Sequence, residues 1–335
     1  MNINKLESWF IEHKRNLNFR GQRNPYFIWV SEIMLQQTQA ETVEPYFEKF
    51  IKLYPNIESL ANANLEVLKK CVEGIGYYRR FKLMHEASKK IMEDYDGIFP
   101  TTYENVIQLP GIGKYTAGAI MSIAYDKPYS ALDGNVMRVL SRYLGDDGDM
   151  RKEKEKKKLD LYNQEMIEKA HPRIYTEAMI ELGALICRPK QPKCDLCPLN
   201  EHCVAYQNDE ITKYPYLSKL KKQKVISYVV FILEDDHYYY LRKRTESLLE
   251  GMYEWPQFEK ESVYAALDEL NDLGINGEIM DQLGHYKHVF SHQIWEMDVY
   301  HLRMVSEKSN QYIKIKKEEL SKYPMAVAHQ KIKIA

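Results

Sequence analysis

The sequence predicts two domains, an all-α one over residues 1–212 and an α+β one over residues 225–335, joined by a linker at 213–224. Three observations lead there. The 335 residues suit about two domains of roughly 150 residues each. Up to residue 212 apolar side chains recur at intervals of three and four, the period of a helix with one buried face. Beyond Cys203 short β-branched and aromatic runs alternate with polar residues, as strands do.

Taken in order, Phe27 to Leu35 is apolar nearly all round, which predicts a buried helix. Leu60, Ala63, Leu65, Leu68 and Val72 predict a helix stopping at Gly74, and Thr116 to Tyr125 a small-residue helix opened by a Pro-Gly-x-Gly turn. Val136, Val139, Leu140 and Tyr143 mark another. The run RKEKEKKK at 151–158 has mixed signs and reads as a solvated helical face or loop without a function. Residues 213–224 are basic, hold a Pro and lack a period, which suits a linker. VISYVVFIL, the turn EDDH and YYYLRKR predict a β-hairpin. Val263, Ala266, Leu267, Leu270 and Leu273 predict a helix that ends at Gly274, and Trp295, Met297 and Val299 alternate with Glu296 and Asp298 as in a half-buried strand. No internal repeat links the halves.

Composition narrows the function classes. With 44% apolar and 28% charged residues, and only 15 Gly and 13 Pro, the chain is neither collagen-like, low-complexity nor largely disordered. No apolar run approaches the roughly 18 residues of a membrane span, and residues 1–15 hold no signal-peptide core, so a soluble, cytoplasmic protein is expected. Lys and Arg number 47 against 48 Asp and Glu, so any nucleic-acid binding has to come from local arrangement rather than a bulk basic field.

Four of the five cysteines, Cys187, Cys194, Cys197 and Cys203, lie within seventeen residues, and Cys71 stands alone. An odd count without a secretory signal argues against disulfides and for metal. The gaps of six, two and five contain one tight knuckle where zinc sites usually have two, which favours a cubane iron-sulfur cluster while leaving zinc open.

Other segments carry chemistry. Gly111 and Gly113 flank Ile112 just before a helix, so the turn either holds a phosphate on free N–H groups or is a plain helix-helix turn plugged by Ile112. Glu32 lies in the buried helical pattern. Desolvation there raises a carboxyl toward the range of a general acid, unless Arg15 or Arg20 pairs with it structurally. Gln36, Gln37, Thr38 and Gln39 follow as an uncharged polar cluster, which suits base edges or a solvated tip. Asp133 precedes a helical pattern, an N-cap position where the helix terminus favours the ionised form that a carboxylate needs to stabilise a developing cation. In Gly74 to Arg80 two aromatics and two guanidinium groups on flexible backbone can wedge into a base stack and hold phosphates, or simply pack.

Together these residues resemble the helix-hairpin-helix DNA glycosylases, and within them the MutY adenine glycosylases. SEIMLQQTQ, GIGYYRR, LPGIGKYTAGAI, LDGNV and the cysteine loop occur in the family's order over most of residues 5–210. The resemblance implies a six-helix barrel domain, a [4Fe-4S] cluster on Cys187, Cys194, Cys197 and Cys203, and a second domain built from the N-terminal residues plus 131–212. It implies a monomer acting on double-stranded DNA with adenine opposite 8-oxoguanine or guanine, the adenine being flipped out and hydrolysed off in base excision repair. Glu32 would protonate the purine and Asp133 stabilise or trap the sugar cation, with Tyr115 and Asn135 assisting. Arg15, Arg20 and Glu177 would line the adenine pocket. Tyr77 would intercalate beside the oxidised guanine, Gln37 and Thr38 would meet the disturbed stack, and Gly111 and Gly113 the DNA backbone. Related lyases carry a Lys where this chain has Tyr115, so simple glycosylase activity without strand cleavage is implied.

Residues 225–335 resemble the Nudix-like domain of the same family. A Nudix box counted from Gly251 puts Gln257, Ala265, Ala266 and Leu270 where charged residues belong and leaves only Glu269, so recognition rather than pyrophosphate hydrolysis is implied. Phe290, Ser291 and His292 match the family loop that reads 8-oxoguanine. His285, His288, His292 and His301 have spacings that fit no tight metal site. Leu17-Asn18-Phe19-Arg20 departs from the family's Leu-Pro-Trp-Arg.

Overall fold

The computed structural model describes residues 1–219, 222–308 and 311–333; two residues of the expected linker, 220 and 221, lie outside them. Twelve described helices precede the first strand: α1 (Ile3–His13), α2 (Pro25–Leu35), α3 (Ala40–Leu53), α4 (Ile57–Ala61), α5 (Leu65–Cys71), α6 (Arg79–Asp94), α7 (Tyr103–Val106), α8 (Lys114–Ile123), α9 (Gly134–Leu144), α10 (Glu153–Ile167), α11 (Pro172–Leu185) and α12 (Val204–Gln207). The chain forms two compact units, one of residues 1–63 and 82–219, the other of residues 64–81 and 220–335.

In the first unit α2 is buried nearly all round, as its composition requires, and packs on α3 and α8. α11 packs on α1, α8 and α9. Leu6 and Phe10 of α1, Val139 and Leu140 of α9 and Met179 and Leu182 of α11 share one core with Leu199, so the N-terminal helix closes over the segment that carries the cysteines. Residues 151–158 enter α10, where Lys158 pairs with Asp146 and the rest is mostly solvated.

The helix expected from Leu60 to Gly74 is two helices. Asn64 leaves the helical region and its side chain accepts from the Glu66 and Val67 amides, opening α5 with a new cap. Apolar spacing alone bridged the gap, because Leu60 before it and Leu68 after it are both buried. The segment 64–81 belongs to the second unit. Glu66 accepts from Lys243 and from the Tyr253 hydroxyl (3.0 Å), Lys69 donates to the Glu250 carbonyl (3.1 Å), and Glu73 accepts from the Met325 amide (2.8 Å).

The strands of that unit are β1 (Lys224–Glu234), β2 (Tyr238–Lys243), β3 (Tyr253–Glu254), β4 (Gln257–Phe258), β5 (Ile275–Val289), β6 (Gln293–Glu307) and β7 (Ile313–Lys316), with α13 (Val263–Asp272) and α14 (Val327–Gln330). They make a mixed sheet ordered β3-β2-β1-β6-β5, with β4 pairing β1 and β7 pairing β2. β1 and β2 form the expected hairpin, and β1 runs parallel to β6 with Val230 opposite Val299. Val229, Phe231 and Leu233 bury against Ala266 and Leu270 of α13, while Ile226, Val230 and Ile232 bury with Trp295, Met297 and Ala328. A strand covered on both faces reads as a continuous apolar run, which is what VVFIL is.

Candidate active site

Nine of the residues singled out above, Arg15, Arg20, Glu32, Gln37, Thr38, Tyr115, Asp133, Asn135 and Glu177, line one cavity of about 920 Å³ in the first unit. They come from the loop between α1 and α2, from α2 and the turn after it, the start of α8, the cap and first turn of α9 and the face of α11, elements far apart in the chain.

Glu32 is 6% exposed and accepts a 2.7 Å hydrogen bond from the Tyr115 hydroxyl. Burial pushes its carboxyl up to about 7; Asp133 and Glu177 push the same way, and the Tyr115 hydrogen bond and Arg20 oppose. The alternative of a structural ion pair with Arg15 or Arg20 fails, because both guanidiniums bind Glu181 instead (2.8 and 2.7 Å). Asp133 is the N-cap of α9: Oδ1 accepts from the Val136 amide (2.7 Å) and Oδ2 from Asn135 Nδ2 (2.8 Å). Burial raises its carboxyl, while the Val136 amide, Asn135 and Arg138 favour the anion. Thus one acid is held protonated near neutrality and the other is supplied with donors that suit a negative charge.

Arg138 had no sequence motif to mark it. It donates to Asn135 Oδ1 (2.9 Å), to the Gly183 carbonyl (2.8 Å) and to the Cys187 carbonyl (2.7 Å), joining the Asp133 network to the cysteine segment. Gly183 lets α11 approach α9 here, since an added Cβ would sit 2.6 Å from the Asn135 Cβ. Gly183→Ala is therefore expected to destabilise the protein by about 1–3 kcal/mol, read as a lowered midpoint in thermal or urea unfolding.

The hairpin between α7 and α8 has the plugged turn expected of it and an open helix terminus beside the plug. Ile112 is buried as a plug, and Gly113 is the exposed N-cap of α8 with no side-chain cap bond and open space where a Cβ would stand. Amides at such a terminus are available to a phosphate. Gly111 has φ +78° and its Cβ position lies 2.8 Å from the Leu83 Cβ, so only glycine fits.

Gln37 and Tyr77 are both non-glycine residues with positive φ, 58° and 50°. Backbone held in that region concentrates at functional sites. In the second unit, Tyr77 is 48% exposed whereas Tyr78 is buried with its hydroxyl accepting from the Gly74 amide (2.7 Å). Arg80 is buried and donates to the Gly76 carbonyl (3.3 Å), so it shapes the loop; Arg79 is the exposed guanidinium. Phe290 packs on His288 and Trp295 at the end of β5, and Ser291 and His292 stand exposed beside it. His285 is exposed and pairs with Glu296 and Asp298, and Glu269 pairs with Lys260. Asn18 donates to the Glu44 carbonyl (3.1 Å) and Glu48 (3.0 Å), while Leu17 and Phe19 line the cavity.

The four clustered cysteines line a single apolar pocket with Val139, Arg142, Leu182 and Leu199. Burial pushes the Cys197 thiol up to about 12, so thiolates there need a compensating cation. Among the described residues no group of three His, Cys, Asp or Glu is set to hold a single ion. Nor is any described helix long and apolar enough to cross a membrane.

A buried acid, a helical hairpin and a helix-capping carboxylate, following one another in that order, place the chain among the base-excision DNA glycosylases. Residues 30–164 match the model of the HhH-GPD superfamily base excision DNA repair proteins, and residues 228–335 match the NUDIX domain. A solved thermostable thymine-DNA glycosylase superposes with a TM-score of 0.57 at 27% identity, covering 62% of this chain and 95% of that one. The adenine DNA glycosylase of Buchnera aphidicola from Acyrthosiphon pisum is 35% identical over 302 residues, 89% of this chain and 85% of the relative. The mouse adenine DNA glycosylase is 39% identical over 211 residues, 60% of this chain and 41% of the relative. The chain belongs to the adenine DNA glycosylase family and is a DNA N-glycosylase.

Proposed function

We propose that this protein removes adenine paired with 8-oxoguanine or guanine from double-stranded DNA as a cytoplasmic monomer, without cutting the strand. The observation that carries this is the shared cavity of Glu32 and Asp133, one carboxyl raised to about 7 and the other facing N–H donors. The adenine is flipped into that cavity. Glu32 gives its proton to the purine as the glycosidic bond breaks, which makes adenine a neutral leaving group. Asp133 stabilises the resulting sugar cation or bonds to it, and Tyr115 and Asn135 orient the two carboxyls. Water adds to the sugar, and its proton returns to a carboxylate.

Arg15, Arg20 and Glu177 line the place of the base. Gln37, Thr38 and Tyr77 fill the disturbed stack, Gly111 and Gly113 hold the backbone, and Phe290, Ser291 and His292 read the opposite base. The division into 1–212, 213–224 and 225–335 is part of the same reading, with the last part recognising rather than hydrolysing, since Gln257, Ala266 and Leu270 leave Glu269 without the other carboxylates of a metal site. Cys187, Cys194, Cys197 and Cys203 present four sulfur donors around one pocket, which fits a [4Fe-4S] cluster tying the loop to α9 and α11. Iron and acid-labile sulfide in the purified protein are the expected result, and zinc in their place would remove the cluster.

The deciding assay is a duplex with one adenine opposite 8-oxoguanine. Breaks that appear only after alkali are expected; breaks without alkali would mean a lyase, and intact adenine with tight binding a protein that only recognises DNA. Position 115 argues for the first, because a lyase needs an amine there and Tyr115 offers a hydroxyl already given to Glu32.

A further inference from the structure

We propose that Glu181, which no motif singled out, is a positioning residue of the adenine cavity: its carboxylate fixes Arg15 and Arg20 in the cavity wall and offsets the charge of Arg20 there. This rests on the adenine-excision reading above. Glu181 lies four residues after Glu177 on α11, hence on the same face, and is fully buried. Oε1 accepts from the Arg15 amide (2.9 Å) and Nε (3.0 Å), and Oε2 accepts from Arg15 Nη2 (2.8 Å) and Arg20 Nη2 (2.7 Å). Four donors fill about the four acceptor sites a carboxylate has. Arg20 Nη1 is buried without a hydrogen-bond partner, and the guanidinium lies over the Phe10 ring at 5.8 Å, so its hold in the wall comes from Glu181 and that ring.

The charges make the same point. Arg15 has a second partner in Glu41 of α3, at 2.8 Å, whereas Arg20 has Glu181. The ionisable groups that act on Glu32 are Tyr115 of α8, Asp133 at the cap of α9, Arg20 before α2 and Glu177 of α11. Of these Arg20 is the cation, and it favours the Glu32 anion. Glu181 offsets that cation, so the acid keeps its proton.

Two variants test this by single-turnover adenine excision across pH, with thermal unfolding alongside. Glu181→Gln keeps the shape and removes the charge. It is expected to slow excision by roughly 10- to 100-fold, and to move the pH at which activity is half lost down by about one unit. Glu181→Asp keeps the charge and shortens the reach, so it is expected to slow excision with the pH midpoint unmoved. A lowered unfolding temperature with the wild-type rate and wild-type pH midpoint would make Glu181 a fold staple and overturn the proposal. If Glu181→Gln does not fold, Glu181→Asp decides alone: the wild-type rate in it overturns the proposal. Inactive wild-type protein in the same assay would instead sink the adenine-excision reading.

Discussion

Asp133→Asn is expected to bind a mispaired duplex about as tightly as the wild type while releasing adenine at least roughly 10³-fold more slowly. The substitution leaves the shape of the cap, and an Asn side-chain oxygen still accepts from the Val136 amide. What disappears is the negative charge that a developing sugar cation needs. Asn135 Nδ2 loses its carboxylate acceptor, and the nearby Arg138 charge, which Asp133 offset, goes uncompensated beside that cation. Duplex binding by gel shift and single-turnover base release by alkali cleavage give the two numbers. A variant with full activity would remove the proposed role of Asp133.

Glu32→Gln is expected to show opposite effects on activity and stability. Base release should fall by roughly 10²- to 10⁴-fold, the usual contribution of a general acid. In the wild type, release should fall as pH rises through about 7, because Glu32 acts in its protonated form, and fall again in acid, where Asp133, raised by burial, loses its negative charge. The stability consequence follows from the same burial. A carboxyl whose folded value, about 7, exceeds its unfolded value near 4.5 is at its most favourable below 4.5, and its contribution declines between 4.5 and about 7. The difference of about 2.5 units corresponds to about 3 kcal/mol above neutrality. Glu32→Gln removes that cost, so the variant should unfold at higher urea than the wild type at about pH 8 and at nearly the same urea at about pH 4.5. Equal stabilities at both pH values would show that Glu32 is not desolvated.

Much of this was legible in the sequence. The apolar run around Glu32, the two glycines around Ile112 and the Asp before an amphipathic helix each report a local physical demand. The structure answers each of them with burial, an open helix terminus and a cap. The split at Asn62 to Asn64 escaped because apolar periodicity does not register a cap in its middle. In the loop before α6 the sequence placed two tyrosines and two arginines as equals. Only packing separated buried Tyr78 and Arg80 from exposed Tyr77 and Arg79.

By itself, then, the sequence determined that helices precede strands, and it marked the two carboxylates and the four grouped cysteines, because period, caps and donor types are local properties of the chain. Only the tertiary structure decided who pairs with whom. Arg15 and Arg20 were candidates for Glu32, yet α11 carries Glu181 to them first and leaves Glu32 to Tyr115, some eighty residues away in the chain. Pairing depends on which charged groups are desolvated together. That is set by the approach of helices distant in sequence, to which no local pattern is sensitive.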